Sequence, residues 1–61
     1  MIKIKELKQK TETELKSLLA VDQKKLQELI FELKAGKLKN VRLIRQYKKQ
    51  IAQILTLLQN I

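Results

Sequence analysis

Residues 42–53, Arg-Leu-Ile-Arg-Gln-Tyr-Lys-Lys-Gln-Ile-Ala-Gln, set a line of cations beside a line of apolar side chains. On a helix, at about 100° per residue, Arg42, Arg45 and Lys49 share an arc of roughly 60°. Ile44, Tyr47, Ile51, Ile54, Leu55 and Leu58 gather on the other side. No acidic residue follows Glu32, so nothing in the second half of the chain neutralises the cations. One face to bury and one acid-free basic face suit a polyanion, above all the phosphates of a nucleic acid. Arg42 and Arg45 strengthen this reading, because the planar guanidinium fork matches phosphate and base edges better than an ammonium does. One tyrosine and one phenylalanine are too few for the stacking platform of a single-strand binder. Structured RNA, read by shape and phosphate, fits better.

Chemistry of other kinds finds little support. The chain has no histidine and no cysteine, which removes the usual zinc ligands and the imidazole of a nucleophilic triad. Its six acids are Glu6, Glu12, Glu14, Asp22, Glu28 and Glu32. Glu28 and Glu32, four apart, face the same way on a helix, but Lys24, Lys25 and Lys34 lie close by. That pattern reads as a solvated, partly ion-paired face. A single glycine excludes a Gly-rich phosphate loop. No enzyme activity, metal or cofactor is expected; the chain reads as a binding or structural protein.

The elements that must carry the basic face follow from spacing and capping. Ile2, Ile4 and Leu7 sit among Lys3, Lys5, Glu6 and Lys8 in an opening segment of about residues 1–9, readable as one or two helical turns or as an extended arm. Thr11 is a good N-cap, and Glu14 three residues on completes a capping box. Leu15, Leu18, Leu19, Leu26, Leu29, Ile30 and Leu33 then follow the 3–4 spacing of an amphipathic helix over about 11–35. Ala35-Gly36 should end it, since glycine takes the left-handed position beyond a helix without steric cost. Asn40 can cap a second helix running over about 40–59. Two helices joined by a short loop should fold back on each other and bury their stripes. The expected fold is all-α: an antiparallel two-helix hairpin with a short N-terminal helical segment, extended in shape, forming a single domain over residues 1–61.

Length and charge bound the rest. Sixty-one residues with net charge +8 allow one thin core, without disulfides or metal to supplement it. A partner that stabilises the folded state by mass action is therefore expected. The absence of cysteine fits a reducing compartment. The longest apolar run is Leu18-Leu19-Ala20-Val21, far short of the roughly 20 residues of a membrane span.

Two positions fit the hairpin poorly. Asp22 lies in the slot between Leu18/Leu19 and Leu26, where an unpaired buried carboxylate would cost several kcal/mol. Either the helices diverge there, or the carboxylate bonds a polar group such as Gln53, Thr56 or Lys25. Phe31 points about 160° away from Leu15, toward solvent, the N-terminal segment or a partner.

The residues also resemble a known family over about 55 positions. Lys5-Glu6-Leu7-Lys8 followed by Thr11-Glu12-Thr13-Glu14-Leu15 is similar to the opening of large-subunit ribosomal protein twenty-nine, where Lys-Glu-Leu-Arg precedes a Ser-x-x-Glu-Leu helix start. Leu26, Leu29, Phe31 and Gly36-Lys37-Leu38 match that family's apolar-x-x-Leu-x-Phe run and Gly-x-Leu loop without a gap. Arg42 to Thr56 resembles its signature of paired basics, Ile-Ala, then Thr-x-Leu. The chain departs from the pattern at Gln27, often Phe, at Ile30, often Arg, and at Gln53, where Arg commonly follows Ile-Ala. The last two remove cations, and Asp22 replaces a usual apolar residue. The resemblance implies a constituent of the bacterial-type large ribosomal subunit, cytoplasmic or in an organellar ribosome. It implies a seat on 23S-type rRNA beside the nascent-chain exit, next to large-subunit protein twenty-three, where chaperones and targeting factors dock.

The residues expected to contact RNA are Arg42, Arg45, Lys48 and Lys49, supported by Lys37 and Lys39 at the loop and by Lys3, Lys5 and Lys8 near the N-terminus. A second reading, from another class, is a helical-hairpin protein-interaction module that oligomerises or pairs with partner helices through its apolar stripes. Asp22 and the drift of the second stripe oppose a long coiled coil. A third, a basic amphipathic helix on anionic membrane, is opposed by the two-helix plan and the absence of tryptophan, so no membrane partner is expected.

Overall fold

Thr11 decides where the first long helix begins. Its backbone is extended, and its hydroxyl oxygen accepts the Glu14 N–H at 3.2 Å. This satisfies one of the four orphan donors of the first turn. The other half of the box differs from expectation: the Glu14 carboxylate accepts from the Thr11 hydroxyl at 3.1 Å instead of reaching the Thr11 backbone N–H. Replacing Thr11 by alanine should cost about 1 kcal/mol. A urea titration followed by circular dichroism measures this, and a loss within error of zero would mean the cap is idle.

The computed structural model describes residues 2–37 and 41–60, and three helices occupy most of them. They are α1 (Ile4–Lys8), α2 (Glu12–Lys34) and α3 (Arg42–Gln59). The opening segment is thus one short helical turn, preceded by an extended Lys3. At the far end of α2, Gly36 adopts φ 75°. The Gly36 N–H then reaches the Leu33 carbonyl at 3.1 Å, and the Lys37 N–H reaches that of Glu32 at 2.9 Å. These paired bonds satisfy carbonyls the helix leaves open, and only a residue without Cβ takes the required conformation freely. Val41, in a helical conformation and without a side-chain cap bond, leads into α3. Asn40, the expected cap, and Lys39 lie outside the described residues.

Helices α2 and α3 pack along their length, and α1 folds onto α3. The molecule measures 39 × 17 × 14 Å, the elongated hairpin that the spacing predicts. Its core is uneven. Leu7, Leu15 and Ile54 are fully or almost fully buried, with Ile2, Leu18, Leu19, Leu57 and Leu58 packed around them. All three helices meet at this end. Toward the turn only two helices face each other, and Leu29 and Ile44 are the buried residues there.

The stripes are slightly rotated from their expected phase. Leu55 is 42% exposed, and Ile51 is half-buried. Gln50 is buried at 4% and Leu57 is half-buried, so the inward face of α3 turns toward 50 and 57 and away from 55. The cause is α1, which covers that side of α3 and leaves the other side to water. Leu33 is also exposed, because it lies at the end of the hairpin where α3 provides less cover.

Asp22 is buried at 3%, and the helices do not diverge around it. Its carboxylate accepts a hydrogen bond from Gln50 Nε2. None of the three partners expected for it is used. Lys25 pairs with Glu28, and the Thr56 hydroxyl donates to the Ala52 carbonyl. Phe31 is 70% exposed and lies toward the turn, away from the N-terminal segment.

Candidate nucleic-acid interface

The side of α3 turned away from α2 carries the basic run. Arg42, Arg45, Lys48 and Lys49 are all exposed, while Ile44 and Ile54 on the opposite arc are buried. No acid stands in the first turn of α3 or anywhere along it. Three ion pairs involve the α2 region: Lys10–Glu14, Lys16–Glu12 and Lys25–Glu28. Arg45, Lys48 and Lys49 join none of them. Exposed pairs of this kind add little to stability. They do concentrate the carboxylates on α2 and leave α3 cationic.

Folding brings some of the expected cations together and separates others. Lys3 and Lys49 line one groove between the N-terminal segment and α3, and Lys8 and Lys49 line the next. Lys48 precedes Lys49 by one residue and is turned about 100° from it, so it lines neither groove. Lys5 is exposed on α1 and also lines neither. Lys37, just past Gly36, stands at the turn, at the opposite end of the hairpin from α1.

The grooves also contain side chains that sequence reasoning did not place at an RNA site. Gln46, Gln53, Thr56 and Asn60 line them with Lys49. The available signal was their spacing: positions 46, 49, 53, 56 and 60 recur every three or four residues, which puts them on one line along a helix. Gln50 was passed over. Asp22 and Gln50 stand equally far from Gly36 along the chain, so an antiparallel hairpin sets its two polar intruders at the same level.

Gln50 makes two connections, one buried and one partly buried. Its Nε2 donates to Asp22, and its Oε1 accepts the backbone N–H of Ile2 at 3.1 Å. No buried side-chain nitrogen or oxygen among the described residues lacks a partner. The three-membered chain Ile2–Gln50–Asp22 therefore ties the N-terminal segment, α3 and α2 together through groups that would otherwise be costly to bury. Among the described residues, no cluster of acids is arranged to hold a metal ion, and no helix is long and apolar enough to cross a membrane.

The sequence matches the family described as Ribosomal L29 protein over residues 5–60. The chain belongs to that family. The Large ribosomal subunit protein uL29 of Thermotoga maritima and that of Thermotoga petrophila are each 46% identical to this L29 family member. The similarity extends over 57 residues, 93% of this chain and 86% of each relative. No solved structure matches it significantly. The family match takes in all of α2 and α3 and most of α1, but Ile2 and Lys3 precede it.

Proposed function

We propose that this protein is a structural constituent of the large ribosomal subunit that binds 23S-type rRNA beside the nascent-chain exit and carries out no chemistry of its own. Membership of the ribosomal L29 family makes it a ribosomal protein of the large subunit, at work in the ribosomes of the cytoplasm. The observation that carries RNA binding is the acid-free run from Arg42 to Lys49 on the solvent face of α3, backed by a buried apolar face. Arg42, Arg45, Lys48 and Lys49 contact phosphates in this reading. Lys37 at the turn and Lys3, Lys5 and Lys8 at the other end extend the contact, with Lys39 added from the sequence alone.

Each phosphate neutralised releases counterions, so binding weakens with salt. Four contacts from α3 give a log–log slope of about −3 to −4, at ~0.7–0.9 per contact. Filter binding of the full chain to large-subunit rRNA across a salt series measures this slope. Binding that does not change between low and moderate salt would refute the mechanism. Co-sedimentation with large subunits through a salt wash tests the assembly itself.

Protein neighbours belong to the same proposal: large-subunit protein twenty-three, with chaperones or targeting factors at the tunnel exit. Exposed apolar side chains at the turn end support such a contact, namely Phe31, Leu33, Val41 and Leu43. The same residues favour the second reading, a protein-interaction hairpin that pairs with partner helices. A concentration-dependent dimer or tetramer of the free protein in sedimentation would support that reading over the first.

A further inference from the structure

We propose that an RNA backbone lies in the furrow between the N-terminal segment and α3, and that the Ile2–Gln50–Asp22 chain is the latch that keeps this furrow formed. The inference rests on the RNA-binding reading above and narrows it to one side of α3.

The furrow has two stretches, of about 470 and 400 Å³, which share Ile4, Lys49 and Gln53 and are therefore continuous. Lys3 and Lys8 stand on one bank and Lys49 on the other. Gln46, Gln53, Thr56 and Asn60 run along the α3 side, a line of about 21 Å at 1.5 Å per residue. No carboxylate lines the furrow among the described residues. Ammonium groups on two banks suit phosphate oxygens. Carboxamides both donate and accept, so they suit the ribose 2′-hydroxyl, which does the same. A phosphodiester strand carrying 2′-hydroxyls fits both features.

Such a furrow does not hold itself open. Helix α1 has only five residues, far below the length at which a helix is stable alone. Lys3 and Lys8 face Lys49 across the furrow, and three like charges push the segment away. Burial of Leu7 opposes this at one end of α1. At the other end the Ile2 N–H is held by Gln50 Oε1. A carboxamide can present either end, and Asp22 decides which. Its carboxylate offers only acceptors, so the Gln50 NH₂ turns toward it and the oxygen is left for Ile2. A carboxylate in the apolar stripe of α2 thereby acquires a purpose: it orients the residue that positions Lys3.

The test uses the full chain. In Asp22→Leu with Gln50→Leu, both partners become apolar at similar size, a change close to neutral for the hairpin itself. Circular dichroism should show α2 and α3 intact, while the amides of Glu6 and Leu7 exchange faster. With Lys3 and Lys8 released, the salt slope for large-subunit rRNA should become shallower by about 1.5. Binding at moderate salt should fall several-fold. The double change also removes a negative charge, so general attraction alone predicts the opposite direction.

A second comparison does not depend on how that variant folds. Lys49→Gln should weaken rRNA binding several-fold. Lys24→Gln, an equal charge change in the groove shared by Lys24 and Ile51, should leave it near wild type. A DNA strand of the same sequence should bind more weakly than the RNA. Equal losses for Lys49→Gln and Lys24→Gln would overturn the furrow as the RNA seat, as would equal binding of DNA. A released α1 with an unchanged slope would do the same, and unchanged α1 exchange would overturn the latch. If the wild type failed to bind rRNA at any salt, the functional reading would fall with it. Binding that needs Arg42 and Arg45 but is indifferent to Lys49 would remove the furrow alone.

Discussion

Ile54→Ala should unfold a large part of the free protein at room temperature. Ile54 is the fully buried member of α3, set against Leu7 and Leu15 where all three helices meet. Truncating it removes three carbons from the thickest part of the core, at a cost of about 3–4 kcal/mol. A chain of this length has roughly 3–9 kcal/mol in total, at 0.05–0.15 kcal/mol per residue. Little or nothing is left at the lower end of that range. Ile51→Ala should cost clearly less, because Ile51 is only half-buried. Parallel urea titrations of the two variants measure the difference. If Ile51→Ala proved as damaging as Ile54→Ala, the core would not be where the three helices converge. Added rRNA should restore helicity to Ile54→Ala in part, since a ligand that binds only the folded state stabilises it by mass action.

The second large effect concerns binding alone. Arg42→Glu together with Arg45→Glu should weaken rRNA binding at moderate salt by well over tenfold, because two attractive phosphate contacts become repulsive ones. Helicity should hold. Both positions are exposed, and both lie at the start of α3, where no acid now sits. Carboxylates there favour the helix by interacting with its N-terminal dipole. Ile44, between the two arginines in sequence, is buried. Its replacement by glutamate should do the reverse and unfold the hairpin before any question of binding arises. Circular dichroism beside filter binding reads out both variants. Wild-type binding by the double arginine variant would exclude this face as an RNA site and leave the cations of the N-terminal segment and the turn.

Sequence alone determined the parts of this protein that depend on local chemistry. Thr11 and Glu14 mark the start of α2, because a hydroxyl three residues before an amide can cap it in any context. Gly36 marks the end of α2 for an equally local reason, its freedom to take positive φ. The 3–4 spacing of leucines and isoleucines set two helices with one apolar side each, and a short connection left them only an antiparallel arrangement. The cationic, acid-free character of α3 was legible in the same way. So was the exposure of Phe31, which follows from its angle on the helix.

The tertiary structure decided what depends on neighbours. Periodicity treats α3 as facing one partner, and it put Leu55 inside and Gln50 outside the buried set. Helix α1 is a second partner on one flank of α3, so the buried arc widens toward that flank and takes in Gln50 and Leu57. The fate of Asp22 depended on the same event. A carboxylate is tolerated in an apolar stripe only with a donor at its own level, and Gln50 becomes that donor only when both residues are enclosed. The grouping of Lys3, Lys8 and Lys49 was also invisible in the sequence, where more than forty positions separate Lys3 from Lys49. Local propensity orients a side chain relative to its own helix. Which side of that helix becomes a groove is set by the segment that folds against it, here a five-residue turn held by buried Leu7, by the packing of Ile2 on the core and by the hydrogen bond from the Ile2 N–H to the Gln50 side chain.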